Sequence, residues 1–175
     1  LAFIILSMIF WNYLIYEKIK KSYIKINNLL PISFIILLFI QLIIGAFVSG
    51  MDAGKIYNTF PWIGANYFPD VNLIINIFNL GSFNEPSLVQ FFHRNLAYII
   101  TLFYLFMWFK IYSKKIYGYF KILSIIGVLL VLQISLGIWT LLSGAHMLVA
   151  SMHQISSIFL ISSSIYFLYL NIKTS

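Results

Sequence analysis

Residues 31–49 read PISFIILLFIQLIIGAFVS, a run in which Ser33, Gln41 and Ser49 are the only polar side chains and no charge occurs. A helix of about 20 apolar residues crosses the hydrocarbon of a bilayer. In lipid the backbone N–H and C=O groups of such a segment must be satisfied within it, which an α-helix does and an open strand does not. Further apolar runs fall at 1–16, 88–109, 120–142 and 148–171. The first is too short to cross unless its beginning lies upstream, so four complete crossings are expected after a truncated one. The predicted fold class is all-α, a polytopic transmembrane four-helix bundle. The expected divisions are the end of a preceding helix (1–16), an inner basic loop (17–30), and a four-helix domain (31–175) with a long outer loop (50–87).

Composition agrees. The chain has 175 residues, 62% of them hydrophobic and 9% charged, too apolar for a domain that must cover its surface with polar groups. Its formal charge is +7, but the basic residues sit in short clusters between apolar runs rather than on one face. They mark topology, the partner is membrane lipid, and nucleic acid is excluded. There is no cysteine, so disulfides and thiolate metal sites are excluded and any metal must use His, carboxylate or Met. The first run carries no basic n-region and no small-residue cleavage site, so it reads as the end of a helix inside a longer protein rather than as a signal peptide.

Lys18, Lys20, Lys21 and Lys25 follow the first run, and Lys110, Lys114, Lys115 and Lys121 follow the third. By the positive-inside rule both connections face the cytoplasm or matrix. The segment 50–87, with Asp52, Lys55, Asp70 and Glu85, and the uncharged turn from Ser143 to His146 then lie outside, and Lys173 returns the C-terminus inside. Gly54, Pro61, Gly64, Pro69, Gly81 and Pro86 make the outer segment turn repeatedly. Phe60, Trp62, Tyr67, Phe68 and the run from Val71 to Phe78 predict a folded lid with a short interfacial helix.

A weak repeat runs through the chain. Gln41-x-x-x-Gly45 with Ser49-Gly50 recurs as Gln133-x-x-x-Gly137 with Ser143-Gly144, and each precedes a helix bearing histidine near its start, His93-Arg94 and His153-Gln154. This predicts two helix pairs related by a pseudo-two-fold axis. Each histidine is expected about 5 residues into its helix, roughly 8 Å deep at 1.5 Å per residue. Two neutral imidazoles at one depth on two helices of a bundle match the axial ligands of an iron porphyrin. The structural alternative is that each hydrogen-bonds a neighbouring helix without metal. Ionisable groups within a membrane span are costly, which favours a functional role.

Small residues near the histidines, Ala97, Thr101, Ala150, Ser156, Ser157 and Ser164, leave room for a flat ligand. Gly45 and Gly137 would let the backbone approach the porphyrin, although small residues also serve plain helix packing in membranes. Arg94, the only arginine, stands where the propionates would point or snorkels to lipid phosphate. His146 reads as a solvated loop residue rather than a member of a zinc site, because the repeat does not reproduce it. Asp52 caps a turn or belongs to a segment folding over the outer haem edge.

The runs Gly45-Ala-Phe-Val-Ser-Gly-Met-Asp-Ala-Gly54, Tyr57-Asn-Thr-Phe-Pro61, Val89-Gln-Phe-Phe-His-Arg94, Gln133-Ile-Ser-Leu-Gly137 and Ala150-Ser-Met-His-Gln154 resemble the haem A synthase family, from about residue 33 to the end. The resemblance implies an eight-helix protein of two pseudo-symmetric four-helix halves, this chain being the second half preceded by the end of the fourth helix. It implies a b-type haem held by His93 and His153, and haem O as substrate in the other half. It implies an oxygen-dependent oxidoreductase that converts a methyl group of haem O to a formyl group, giving haem A for cytochrome oxidase. No catalytic residue is assigned on this chain. The implied partners are a ferredoxin-type electron donor, haem O synthase and the cytochrome oxidase assembly machinery. The implied location is the bacterial or mitochondrial inner membrane, with the haem near the outer side. His146 matches no family ligand. The competing functional reading is a non-catalytic b-type cytochrome that carries electrons in the membrane.

Overall fold

The computed structural model describes residues 1–17, 25–69 and 84–172. They form α1 (Ala2–Tyr16), α2 (Leu29–Gly50), α3 (Ala53–Ile56), α4 (Pro86–Ser113), a 3-10 turn (Tyr117–Tyr119), α5 (Phe120–Leu142) and α6 (Met147–Ile172). No strand occurs among the described residues, and one isolated antiparallel bridge joins Ile63 and Asn66. The architecture is all-α, and α2, α4, α5 and α6 are each long and apolar enough to cross a membrane. The 22 residues of α2 extend roughly 33 Å at 1.5 Å per residue, the thickness of the hydrocarbon. Lys18, Lys20 and Lys21 of the basic loop, Asp70, Gly81, Lys173 and the expected helix within Val71 to Phe78 lie outside the described residues.

Local chemistry sets the helix ends. Asn27 Oδ1 accepts the Leu29 N–H at 2.9 Å at the start of α2, as a capping oxygen does. Pro86 opens α4, where its missing N–H would have had no helical partner. Apolar side chains face outward in helical stripes. On α2 these are Ile36, Ile40, Ile43 and Phe47, and on α4 Leu102, Leu105, Phe106 and Phe109. Spacings of three and four with apolar residues outermost invert the pattern of a water-soluble helix. The chain is an integral membrane protein.

Two compact units divide the chain, and their boundaries fall inside the long helices. The first comprises Leu1–Leu38, Ile100–Leu132 and Ile155–Ser175. Its interior is aromatic: Phe34 stacks on Phe103 at 6.3 Å, Tyr119 meets Phe167 edge-on at 5.3 Å, and Trp11 meets Tyr169 edge-on at 5.8 Å. Lipid is as apolar as these rings, so close packing and geometry rather than water exclusion hold them. The unit also buries Asn171 completely. Its Nδ2 donates to Ile26 O at 3.0 Å and to Asn28 Oδ1 at 2.7 Å. Its Oδ1 accepts from Ile26 N at 2.8 Å and from Tyr119 Oη at 3.1 Å.

The second unit comprises Phe39–Ile99 and Gln133–Gln154. It contains the C-terminal parts of α2 and α5, the N-terminal parts of α4 and α6, and the described outer segment through Pro69. All the histidines and the arginine of the chain lie in it.

Candidate functional site

Within the second unit, His93 lies seven positions after Pro86 on α4 and His153 six positions after Met147 on α6. At 1.5 Å per residue these depths, roughly 10 and 9 Å, agree to within one residue. Both helices start one or two residues before the apolar runs do, so the depths grow together and remain matched.

Each histidine is seated on the preceding long helix in the same way. Gln41 Nε2 on α2 donates to the main-chain O of His93 at 2.9 Å and lies 3.4 Å from its ring Nε2. Gln133 Nε2 on α5 donates to the main-chain O of His153 at 3.0 Å and lies 3.5 Å from its Nε2. One turn further along, a Cβ on Gly45 would stand 3.0 Å from His93 Cε1, and a Cβ on Gly137 would stand 3.0 Å from His153 Cε1. The repeat seen as Gln-x-x-x-Gly is therefore a repeat of geometry. The backbone of the two glycines, which are expected to let a porphyrin approach, lies against the imidazoles and leaves the rings their room.

His93 precedes Arg94 on α4 and belongs to the same unit as His153. Its Nδ1 is buried and has no hydrogen-bond partner, as is Gln41 Oε1. A buried polar atom without a partner costs about 1–3 kcal/mol. Two imidazoles of one unit, at one depth, form the donor set expected for axial ligation of an iron porphyrin. Among the described residues no three His, Cys, Asp or Glu side chains gather. His146 is exposed in the turn between α5 and α6, its N–H donating to Ser143 Oγ at 3.4 Å.

Arg94 is not extended to solvent. It donates to the carbonyls of Thr59 at 2.9 Å, Pro61 at 3.0 Å and Trp62 at 3.0 Å, and to Gln90 Oε1; its guanidinium lies 5.8 Å from the Phe60 ring centre. Gln90, 2% exposed, donates to Ala53 O at 3.0 Å and Tyr57 O at 2.8 Å. Tyr67 Oη donates to Asn95 Oδ1 at 3.3 Å. Thus Gln90, Arg94 and Asn95, all on the first turns of α4, fasten the segment 53–67. Asp52 adopts a left-handed conformation at φ 52° without a side-chain cap, and its carboxylate pairs with Lys55 at 2.9 Å on the surface. The expected turn cap is absent there. The serines expected to leave room for a flat ligand, Ser156, Ser157 and Ser164, are buried in the first unit. Ser164 Oγ returns a bond to Leu160 O of its own helix at 2.7 Å.

The family described as cytochrome oxidase assembly protein matches residues 1–165. The chain is 42% identical over 171 residues to the haem A synthase of Pelagibacter ubique, covering 98% of this chain and 50% of that relative. The chain belongs to the haem A synthase family. Two other haem A synthases are similar: that of Wolbachia pipientis wMel, 37% identical over 177 residues covering 100% of this chain and 49% of the relative, and that of Rickettsia felis, 35% identical over 189 residues covering 100% and 55%. The chain therefore spans about half the length of the curated relatives it matches. No solved structure matches it. In this haem A synthase family member, sequence reasoning singled out the histidines and glycines but gave Gln41, Gln133 and Gln90 no role. The repeated four-residue spacing from Gln to Gly was the signal for the first two; nothing in the sequence marked Gln90.

Proposed function

We propose that this chain is the half of a haem A synthase that holds a b-type haem between His93 and His153. The whole enzyme then oxidises a methyl group of haem O to the formyl group of haem A, in oxygen-dependent steps, for cytochrome oxidase. The observation that carries the reading is the duplicated histidine seat: two imidazoles on two helices, each against a glycine and beneath a carboxamide, with distances that repeat to 0.1 Å between His93 and His153 (2.9 against 3.0, 3.4 against 3.5).

The residues fit the group. His93 and His153 are the two imidazoles that would hold the iron of such a group, as neutral histidine nitrogens do. Gly45 and Gly137 hold the rings from behind. Arg94 offers positive charge to the propionates while its N–H groups hold the loop carbonyls. The segment 53–67, fastened by Gln90, Arg94 and Asn95, excludes water from that end. A haem held by His93 and His153 would supply one-electron transfer chemistry, and the oxygen-dependent step would belong to the other half of the enzyme. The electron donor in this proposal is a ferredoxin-type protein, and haem O synthase supplies the substrate. The membrane is the bacterial or mitochondrial inner membrane, with the haem near the outer side.

The test is the full-length protein purified from haem-replete cells. A low-spin bis-histidine optical spectrum is expected, lost in His93→Ala and in His153→Ala. Unchanged low-spin haem in both variants overturns the assignment. Added haem O should be recovered as haem A by chromatography; a protein with the same spectrum and no haem A would be an electron carrier instead.

A further inference from the structure

The histidine seats contain more than two ligands require. Gln41 and Gly45 are one turn apart on one face of α2, and Gln133 and Gly137 are one turn apart on one face of α5. The amino group of each carboxamide donates to the carbonyl of the histidine residue on the neighbouring helix, and the same nitrogen lies 3.4 or 3.5 Å from the ring Nε2. A carbonyl oxygen has two lone pairs, so this bond adds to the helical one rather than replacing it. On the glycine side there is no room: a Cβ at Gly45 would meet Cε1, Nδ1 and Nε2 of His93 at 3.0, 3.5 and 3.8 Å, and a Cβ at Gly137 would meet those of His153 at 3.0, 3.5 and 3.6 Å.

Rotation of an imidazole about its Cβ–Cγ bond has a broad, roughly two-fold potential. The side chain's own rotamer preference therefore does not fix the ring plane; its neighbours must. In both seats those neighbours are a carboxamide and, one turn along the same helix, bare backbone, on a helix other than the histidine's own. Recurrence of both contacts at both seats indicates that ring orientation, and not only ring position, is being held.

We propose that Gln41 and Gln133 are positioning residues that set the planes of the His93 and His153 imidazoles, and with them the relative orientation of the two axial ligands. This rests on the haem reading above. The angle between two axial imidazole planes governs how the iron d orbitals split, so it is read directly in the g values of the ferric low-spin state, and groups around a ligand tune the iron as well.

The experiment uses the full-length protein with haem incorporated during expression. Gln41→Met and Gln133→Met keep side-chain length and remove the N–H donors. Haem content and the low-spin optical bands are expected to stay as in the unsubstituted protein, while the g values shift or broaden and the midpoint potential moves. A merely structural glutamine would lower thermal stability and leave the g values of the folded protein unchanged, which overturns the proposal. Should either Met variant fail to fold, Gly45→Ala and Gly137→Ala press directly on the same rings. They are expected to shift the same g values, and unshifted values there also overturn it. Unsubstituted protein with no bis-histidine signal at all sinks the haem reading, whereas a normal signal with unresponsive variants sinks only the positioning role.

Discussion

At the scale of single residues, this fold uses glycine where a neighbouring side chain must come close to a helix. Gly127 on α5 is the tightest case. A Cβ there would lie 2.3 Å from Tyr104 Oη, and that hydroxyl donates to Leu123 O at 2.8 Å inside the first unit. Gly127→Ala must therefore displace the phenol, losing a buried hydrogen bond and overpacking the site. Each effect is worth about 1–3 kcal/mol. Thermal unfolding in detergent should fall accordingly, and the loss should be smaller when Gly127→Ala is made in a Tyr104→Phe background, where the clashing oxygen is gone. Additive losses in the double variant would show that the two residues do not couple.

Among the elements, the start of α4 does the most for the site. Gln90 donates to Ala53 O and Tyr57 O and accepts from Arg94, so one carboxamide holds both ends of the short α3 and the arginine that binds Thr59 to Trp62. Gln90→Leu removes all three interactions, and Ala53 O keeps only the Tyr57 N–H. Hydrogen exchange of amides in 53–64 should accelerate by one to two orders of magnitude if the loop opens at a cost reduced by about 1–3 kcal/mol. Lys55→Ala, which deletes an exposed ion pair with Asp52, should leave the same exchange rates unchanged.

The same elements show what the sequence could and could not disclose. The runs at 31–49, 120–142 and 148–171 gave helices within two residues of their final bounds because lipid permits an apolar segment no other regular structure. His93 and His153 were legible because an intramembrane imidazole is expensive and here occurs twice at one spacing. Gln90 and Asn171 were not. A polar residue at a helix end reads as solvated, and only the folded chain shows that the carbonyls around it come from a loop with few partners of its own.

For the whole molecule, Asn171 tests whether the first unit can be weakened without touching the histidine seats. It bonds both the N–H and the C=O of Ile26 and also Asn28 and Tyr119, tying the residues before α2 to the end of α6 within that unit. Asn171→Leu deprives the buried Ile26 N–H and C=O of these bonds, so a loss of about 2–4 kcal/mol is expected. Tyr119→Phe, which removes one bond of the four, should cost less. Melting temperature measures the loss. The low-spin haem spectrum proposed above should be unchanged in protein kept below that temperature, since both histidines and both carboxamides belong to the second unit; loss of the spectrum at low temperature would contradict this.

Orientation in the membrane follows from charge. Lys25, Lys110, Lys114, Lys115 and Lys121 flank the start of α2, the end of α4 and the start of α5, whereas the turn from Ser143 to His146 carries no fixed charge. Lysines and arginines in short connections are retained on the cytoplasmic or matrix side, so the 114–116 connection is expected inside and the 143–146 turn outside. The chain has no cysteine of its own, so one introduced at Lys115 or at Ser143 reports its position against a quiet background. An impermeant thiol reagent added to intact cells should label Ser143→Cys and spare Lys115→Cys, and inverted vesicles should reverse the pattern. Both histidines lie within seven residues of the helix starts on the Ser143 side. Labelling of Lys115→Cys in intact cells would therefore move the proposed haem to the inner face and remove the basis for an outer electron-transfer site.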